Sequence, residues 1–360
     1  MTPDPSNPGR HSQTEILSQP QCWKACFQAL DEKDQLGKIS KHFANQSDWL
    51  FIGCGTSYYI ALAAAASWTH ITGLRARAVP ASDLLLYPEL ISSGDVCCQP
   101  VLISRSGHTS EALKAAEFLE LKKNIRTLAI SCATHQPLEE ISTTTLYMLP
   151  ADEQSTVMTR SFTSMLLGLQ ALAAAYAEQA SLAESLRQLP GQAQRALDSM
   201  PSQIQPFVEA RDFADYVFLA QGPFFGLASE AMLKVTEMSC SYAQCFHTLE
   251  FRHGPKAIVS PETLITFLLS ETGFEDEAEV LQEVKGLGGT TLVVTNMATS
   301  AVRQAADLVV ELKLDVPEIA RLAAFAMPGQ LLGLYTGLKK GQDPDRPRHL
   351  SRVVILNGKD

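Results

Sequence analysis

Positive charge is in short supply in this sequence: 29 Lys and Arg stand against 39 Asp and Glu in 360 residues, a formal net charge of −10. A surface of that sign repels nucleic-acid phosphate and anionic lipid, so neither a nucleic acid nor a membrane is an expected partner. The opening MTPDPSNPGRHSQ lacks the basic-then-apolar order of a secretory signal. Metal-ligand spacing is also missing. The eight cysteines (Cys22, Cys26, Cys54, Cys97, Cys98, Cys132, Cys240 and Cys245) contain no C-x-x-C pair and no nearby His at zinc-finger intervals. Neither a metal site nor a disulfide framework is indicated, and reduced thiols in a cytoplasm are expected. No strand is followed by G-x-G-x-x-G, and G-K-[ST] and G-x-S-x-G are absent, which sets aside a dinucleotide fingerprint, a P-loop and a nucleophile elbow. Two stretches run long without charge, residues 50–74 and 161–177. The first is broken by Gly-Cys-Gly-Thr-Ser and His70 and the second by Ser, Thr and Gln, so both read as buried core rather than membrane spans.

What is present is apolar patterning, with 46% hydrophobic and 19% charged residues over a length that suggests about two domains. Residues 1–12 read as disordered and residues 14–44 as short helices. WLFIGCG (49–55) is an apolar run ending in glycine, SYYIALAAAASWTH is helical, and ARAVPASDLL suggests a second strand. CQPVLISRSG (98–107) is a third strand stopped by a polar turn, SEALKAAEFLELKK has helical spacing, and TLAIS and TLYML flank the helix-like PLEEIS. Strands alternating with helices predict an α/β fold, a parallel sheet covered on both faces. The second half repeats the order: YVFLAQGPF parallels LFIGCGTS, LITFLLSETGFEDE parallels PVLISRSGHTSE, and TTLVVTNMATSAVRQAADLVVEL parallels RTLAISCATHQPLEEISTTTLYML. An offset near 165 residues in all three pairs implies duplication of one α/β unit. The expected organisation is a helical segment over 1–45, one domain over 46–185, a helical connector within 178–212, a second domain over 200–340, and a tail over 341–360 ending in a strand-like VVIL.

Two loops and one helix carry the chemistry. Ser104-Arg105-Ser106-Gly107-His108-Thr109 closes a strand and opens a helix, so hydroxyls and backbone N–H groups gather at a helix N-terminus, an anion site. A plain N-cap at Ser106 or Thr109 is the alternative. Gly53-Cys54-Gly55-Thr56-Ser57 holds the equivalent place after the first strand, and in open parallel sheets such loops meet at the carboxyl edge. Glu230, Lys234 and Glu237 are spaced i, i+4, i+7 on one helical face. That spacing suits an exposed face with two ion pairs, and equally a partly desolvated carboxylate–lysine arrangement for general-base work. His253 falls in Glu250-Phe251-Arg252-His253-Gly254-Pro255-Lys256, a loop of ionisable residues, whereas His108 and His247 are weaker candidates and no cysteine has a base partner in sequence.

CGTSYY, SRSGHTSE, EQSTVMTRSFTSML, LASEAMLKVTEMS, EFRHGPKAIV and DRPRHLSRVV, in this order, resemble the sugar isomerase (SIS) domain proteins. The closest types are the isomerase half of glutamine:fructose-6-phosphate amidotransferase and the amino-sugar-phosphate isomerase/deaminase group. The resemblance implies two SIS domains, each a flavodoxin-like parallel sheet flanked by helices, in a homodimer with shared active sites. It implies substrate phosphate bound by Ser104, Ser106 and Thr109 with Thr56 and Ser57, and no cofactor or metal. Glu237 would shuttle a proton between C1 and C2 of the open-chain sugar, and Lys234 would hold a substrate hydroxyl or the enediolate. His253, supported by Glu250, would open the ring. Arg105 replaces a glutamine of the synthase and adds charge near the phosphate; Arg352 stands where the synthase has a lysine, and cannot form a Schiff base but can clamp an anion. With no glutaminase-sized segment in the sequence, the expected reaction is aldose–ketose isomerisation with deamination of an amino sugar 6-phosphate. A fructosamine-phosphate deglycase and a non-catalytic sugar-phosphate-binding regulator are the alternatives.

Overall fold

A computed structural model describes residues 7–91 and 98–356; Cys97 lies outside the described residues. In chain order the helices are α1 (Arg10–Leu17), α2 (Gln19–Glu32), α3 (Gln35–His42), α4 (Thr56–Thr72), α5 (Ala81–Leu86), α6 (Pro88–Ile91), α7 (Ser110–Glu117), α8 (Pro137–Ile141), α9 (Arg160–Tyr176), α10 (Ala180–Glu209), α11 (Phe225–Ser239), α12 (Phe274–Gly286), α13 (Ser300–Ala305) and α14 (Leu322–Lys339). The strands are β1 (Asp48–Gly53), β2 (Arg75–Pro80), β3 (Gln99–Ile103), β4 (Leu128–Ser131), β5 (Thr144–Tyr147), β6 (Asp215–Ala220), β7 (Tyr242–His247), β8 (Thr263–Leu268), β9 (Thr290–Thr295) and β10 (Leu308–Glu311).

The chain divides into two compact units. One comprises Gln21–Glu153, Arg160–Arg187 and Ser351–Asp360; the other comprises Met1–Pro20, Gln154–Thr159 and Gln188–Leu350. The first contains a five-stranded sheet ordered β2-β1-β3-β4-β5 and the second a five-stranded sheet ordered β7-β6-β8-β9-β10, every pairing parallel. These are the same order, 2-1-3-4-5, found twice. β6 begins 167 positions after β1, β7 167 after β2, and β10 164 after β5, which is the duplication expected from the sequence. β1, β3, β4 and β8 are buried at every residue and β6 at every residue after Asp215, so their apolar runs do not alternate, as expected for parallel strands covered on both faces. Each sheet has its own core: Leu50, Ile52, Leu102, Ala129 and Leu138 in one, Val217, Leu219, Ile265, Phe267 and Val293 in the other.

Three expectations need correction. Residues 10–12, read as disordered, belong to α1, because Asp345 in the same unit accepts from the His11 and Ser12 amides and the Ser12 hydroxyl, and Asp343 accepts from the Gly9 amide. The VVIL segment forms no strand: the Val354 carbonyl accepts from the Ser110 amide and the Leu356 amide donates to Ser110 Oγ, so the tail joins a helix start rather than a sheet. β7 was not recognised, since YAQCFH mixes polar and apolar residues on an edge strand that pairs with β6 alone and is mostly half-buried. The predicted connector is one 30-residue helix, α10, that continues through Pro190, Pro201 and Pro206.

Glycine spacing on α14 sets how α11 is held. A Cβ at Gly329 would lie 2.4 Å from the Ala231 Cβ, one at Gly333 2.9 Å from the Lys234 carbonyl, and one at Gly337 2.3 Å from the Met238 carbonyl. A glycine every fourth residue therefore brings the α14 backbone against α11 along its length, closing one flank of the helix that carries Lys234.

Candidate active site

In the first unit the order of strand addition reverses between β1 and β3, parallel neighbours in register through Ile52–Leu102, and ligands in open α/β sheets bind at the carboxyl ends of such strand pairs. Both sequence-predicted loops leave from there. After β1, Gly53 approaches the Ser57 backbone so closely that a Cβ would lie 2.4 Å away, and Gly55 turns at φ 55 into α4, which begins with the buried Thr56 and Ser57. After β3, the loop is pinned to β4: the Ser104 amide donates to the Ile130 carbonyl at 3.1 Å, and the Arg105 carbonyl accepts from the Cys132 amide at 3.0 Å and from Ser131 Oγ at 3.1 Å. Ser104 Oγ accepts from the Gly107 amide at 3.1 Å, and Ser106 Oγ from the His108 amide at 3.2 Å. Gly107 sits at φ 67, with Gln136 Oε1 1.7 Å from where a Cβ would stand. Thr109 precedes α7 in extended conformation without a side-chain cap, so the plain N-cap reading does not describe its hydroxyl. Ser104, Ser106 and Thr109 thus come together on one loop with Thr56 and Ser57 on the next, a set of hydroxyls and amides suited to a phosphate.

Arg105 is placed differently from expectation. Its side chain is only 4% exposed; Nη1 lies 3.3 Å from Glu153 Oε2 and Nη2 donates to the Arg352 carbonyl at 3.2 Å. Glu153 also accepts from the Ser161 amide and hydroxyl at the start of α9. The guanidinium charge is therefore balanced by a buried carboxylate. Sequence reading missed Glu153, although a Glu just ahead of the charge-free stretch 161–177 demands a partner. Arg352 pairs through its own guanidinium with Asp152 and is exposed.

The duplicated loop in the second unit, Ser270-Glu271-Thr272-Gly273, repeats the turn, with the Gly273 amide donating to Ser270 Oγ at 2.9 Å. Here the anion position is already filled. Glu277, 1% exposed, accepts from the Ser270 amide at 3.0 Å and from its hydroxyl at 2.7 Å, while Glu318 accepts from Thr272 Oγ1 and the Glu271 amide. Burial pushes the Glu277 carboxyl above its ordinary range, against the opposing Ser270 hydrogen bonds. In the first copy, by contrast, Ser104 Oγ and Ser106 Oγ accept from the Gly107 and His108 amides of their own loop.

On α11, also in the second unit, Lys234 is fully buried, with Nζ 3.3 Å from Glu230 Oε1 and in contact with Glu237 Oε2. This overturns the reading of an exposed ion-pair face. Glu230 is buried with the lysine, and Glu237 retains 19% exposure. Burial works against the ammonium, but Glu230 and Glu237 outweigh it and hold the Lys234 pKa above its ordinary value. His253 and Glu250 are exposed on the loop after β7, joined by the His253 amide donating to the Glu250 carbonyl at 3.0 Å, and Gly254 follows at φ 127. His247 stacks on Phe225 at 3.9 Å. The Cys54 and Cys245 thiols are pushed up to about 12 by burial, which disfavours thiolate chemistry.

Duplicated 2-1-3-4-5 sheets, with a hydroxyl-lined loop at the switch point of the first, define a doubly wound α/β protein built from two copies of one unit. The SIS domain profile matches residues 42–175 and 215–332, and the chain belongs to the SIS domain family. It is 28% identical over 337 residues to the glutamine–fructose-6-phosphate aminotransferase (isomerizing) of Neisseria meningitidis serogroup B, covering 90% of this chain and 54% of that protein. The chain therefore spans about half the length of the curated relatives it matches. Among solved structures, the glucosamine-6-phosphate deaminase of Thermotoga maritima is 29% identical with a TM-score of 0.76, covering 96% of this chain and all of that one. The tagatose-6-phosphate ketose/aldose isomerase of Escherichia coli shares the fold at 22% identity and a TM-score of 0.82, covering 97% and 96%. Among the described residues no helix is long and apolar enough to cross a membrane.

Proposed function

We propose that this protein is a phosphosugar isomerase that couples aldose–ketose isomerisation to deamination of an amino sugar 6-phosphate, acting as a homodimer with shared sites. The observation that carries this reading is the α11 trio: a buried ammonium, Lys234, against a partly exposed carboxylate, Glu237. A carboxylate there has access to a substrate carbon, and a cation beside it stabilises the enediolate-type oxygen or nitrogen that develops next to it. In this reading Ser104, Ser106, Thr109, Thr56 and Ser57 hold the phosphate and orient the chain of carbons. His253, with Glu250, opens the ring. Glu237 removes the C2 proton and the resulting enolamine takes a proton at C1. Water then adds to the C2 imine and ammonia leaves, giving the ketose phosphate. Arg352 contributes a fixed cation. The likeness to the Thermotoga deaminase over 96% of the chain supports the deaminating direction.

The test is incubation of the purified protein with glucosamine 6-phosphate and galactosamine 6-phosphate, following ketose phosphate and ammonia together. Equal amounts of both are expected. Ketose without ammonia would return the reading to simple isomerisation, and cleavage of a glycated amino acid 6-phosphate instead would make it a deglycase. Calorimetric phosphosugar binding with no product would make it a regulator.

A further inference from the structure

We propose that Arg105 and Glu153 form a latch that fastens the C-terminal tail onto the phosphate loop, Arg105 serving as a positioning residue rather than a phosphate ligand. The inference rests on the phosphate assignment made above. All of its parts lie in the first unit.

Arg105 stands inside the phosphate loop between Ser104 and Ser106, and its guanidinium reaches both Glu153 Oε2 at 3.3 Å and the Arg352 carbonyl at 3.2 Å. A planar fork with five donors can span a carboxylate and a carbonyl, whereas a point-charged ammonium serves one direction at a time. The Arg105 carbonyl is simultaneously held by the Cys132 amide and the Ser131 hydroxyl, so the loop backbone stays fixed to β4 whether or not the guanidinium holds the tail. The next turns of the tail repeat the attachment. Arg352 pairs with Asp152, adjacent to Glu153, and Ser110 at the start of α7 both donates its amide to the Val354 carbonyl and accepts the Leu356 amide at 3.0 Å. The tail is thereby strapped from residue 352 to 356 across the loop and helix start that hold the proposed phosphate. Glu153 completes the device: it is fully buried, and Ser161 on α9 anchors it. Without the carboxylate, a desolvated guanidinium would carry an uncompensated charge.

The experiment compares the full chain with Arg105→Lys and Glu153→Gln. Arg105→Lys keeps a cation for Glu153, so the global unfolding midpoint should stay near that of the parent protein even if Glu153→Gln folds poorly. Hydrogen exchange of the peptide spanning residues 351–356 should accelerate in Arg105→Lys by roughly tenfold, the scale of one charge-assisted hydrogen bond. Apparent affinity for the sugar phosphate should fall while affinity for inorganic phosphate, measured by calorimetry, stays within about twofold, because phosphate alone needs the hydroxyls and amides and not the tail. Unchanged exchange of the tail peptide in Arg105→Lys would overturn the latch. A large loss of inorganic phosphate affinity would overturn it as well and make Arg105 a direct ligand. Absence of inorganic phosphate binding by the parent protein would instead remove the phosphate assignment, leaving the exchange result to judge the latch by itself.

Discussion

Lys234 Nζ lies 3.3 Å from Glu230 Oε1 with both side chains shut off from solvent, one helical turn apart on α11. Two carboxylates and one ammonium occupy that face, so the group carries a net negative charge when all three are ionised. Lys234→Met would leave Glu230 buried without its counter-charge, which costs about 3–5 kcal/mol. Urea unfolding should show that loss, and Lys234→Met combined with Glu230→Gln should recover much of it.

The same trio has a pH signature. A lysine whose folded pKa is raised contributes stability that is complete below its ordinary 10.5 and disappears as pH rises through the folded value above it. The contribution of Lys234 to the unfolding midpoint should therefore be level from neutral pH to about 10 and fall only beyond 10.5. In the Lys234→Met/Glu230→Gln variant this alkaline decline should be shallower; an equal decline in both would assign it to other groups.

Glu237→Gln keeps the shape of the side chain and removes its basicity. Under the proposed chemistry, turnover of the amino sugar phosphate should drop by about 10²–10⁴-fold, with phosphosugar binding by calorimetry retained. Full turnover in this variant would exclude Glu237 as the base.

The two duplicated loops should respond in opposite ways. Ser104→Ala removes a hydroxyl from the loop assigned to phosphate, and KM for the sugar phosphate should rise about fivefold or more. Ser270→Ala alters a loop whose anion position Glu277 already fills, so KM should hold while stability falls by about 1–3 kcal/mol, the cost of a buried carboxylate losing a donor.

Gly333→Ala tests the packing behind Lys234. The added methyl would meet the Lys234 carbonyl at 2.9 Å in a backbone contact that no side-chain rotation relieves. A loss of about 1–3 kcal/mol is expected from chemical denaturation. A neutral result would show that α14 can move away from α11 at little cost.

Much of the architecture was legible in the sequence because parallel strands buried on both faces write themselves as short apolar runs. The 49–55 and 98–107 segments, and their counterparts in the second half, end in glycine-bearing or hydroxyl-bearing turns at a constant offset, so the duplication and the first phosphate loop were visible without coordinates. β7 was hidden because an edge strand pairs with one neighbour and needs no continuous apolar run. Position along the chain also brought Ser104, Ser106 and Thr109 together, since a strand-to-helix turn is a local structure.

Charge partnerships were another matter. Spacing placed Glu230, Lys234 and Glu237 on one helical face but left open whether water reached them; the tertiary structure decided it, burying Lys234 with Glu230 and leaving Glu237 partly exposed. Arg105 looked like a free cation beside a phosphate, and only the fold brought it to Glu153, 48 residues away, and to the Arg352 carbonyl, 247 away. Likewise the serine loops are near copies, yet Glu277 closes one of them. Hydrophobic periodicity and turn chemistry act between neighbours in the chain and are read from it directly. Desolvation and ion pairing depend on which distant groups are buried together, and that is settled by tertiary packing.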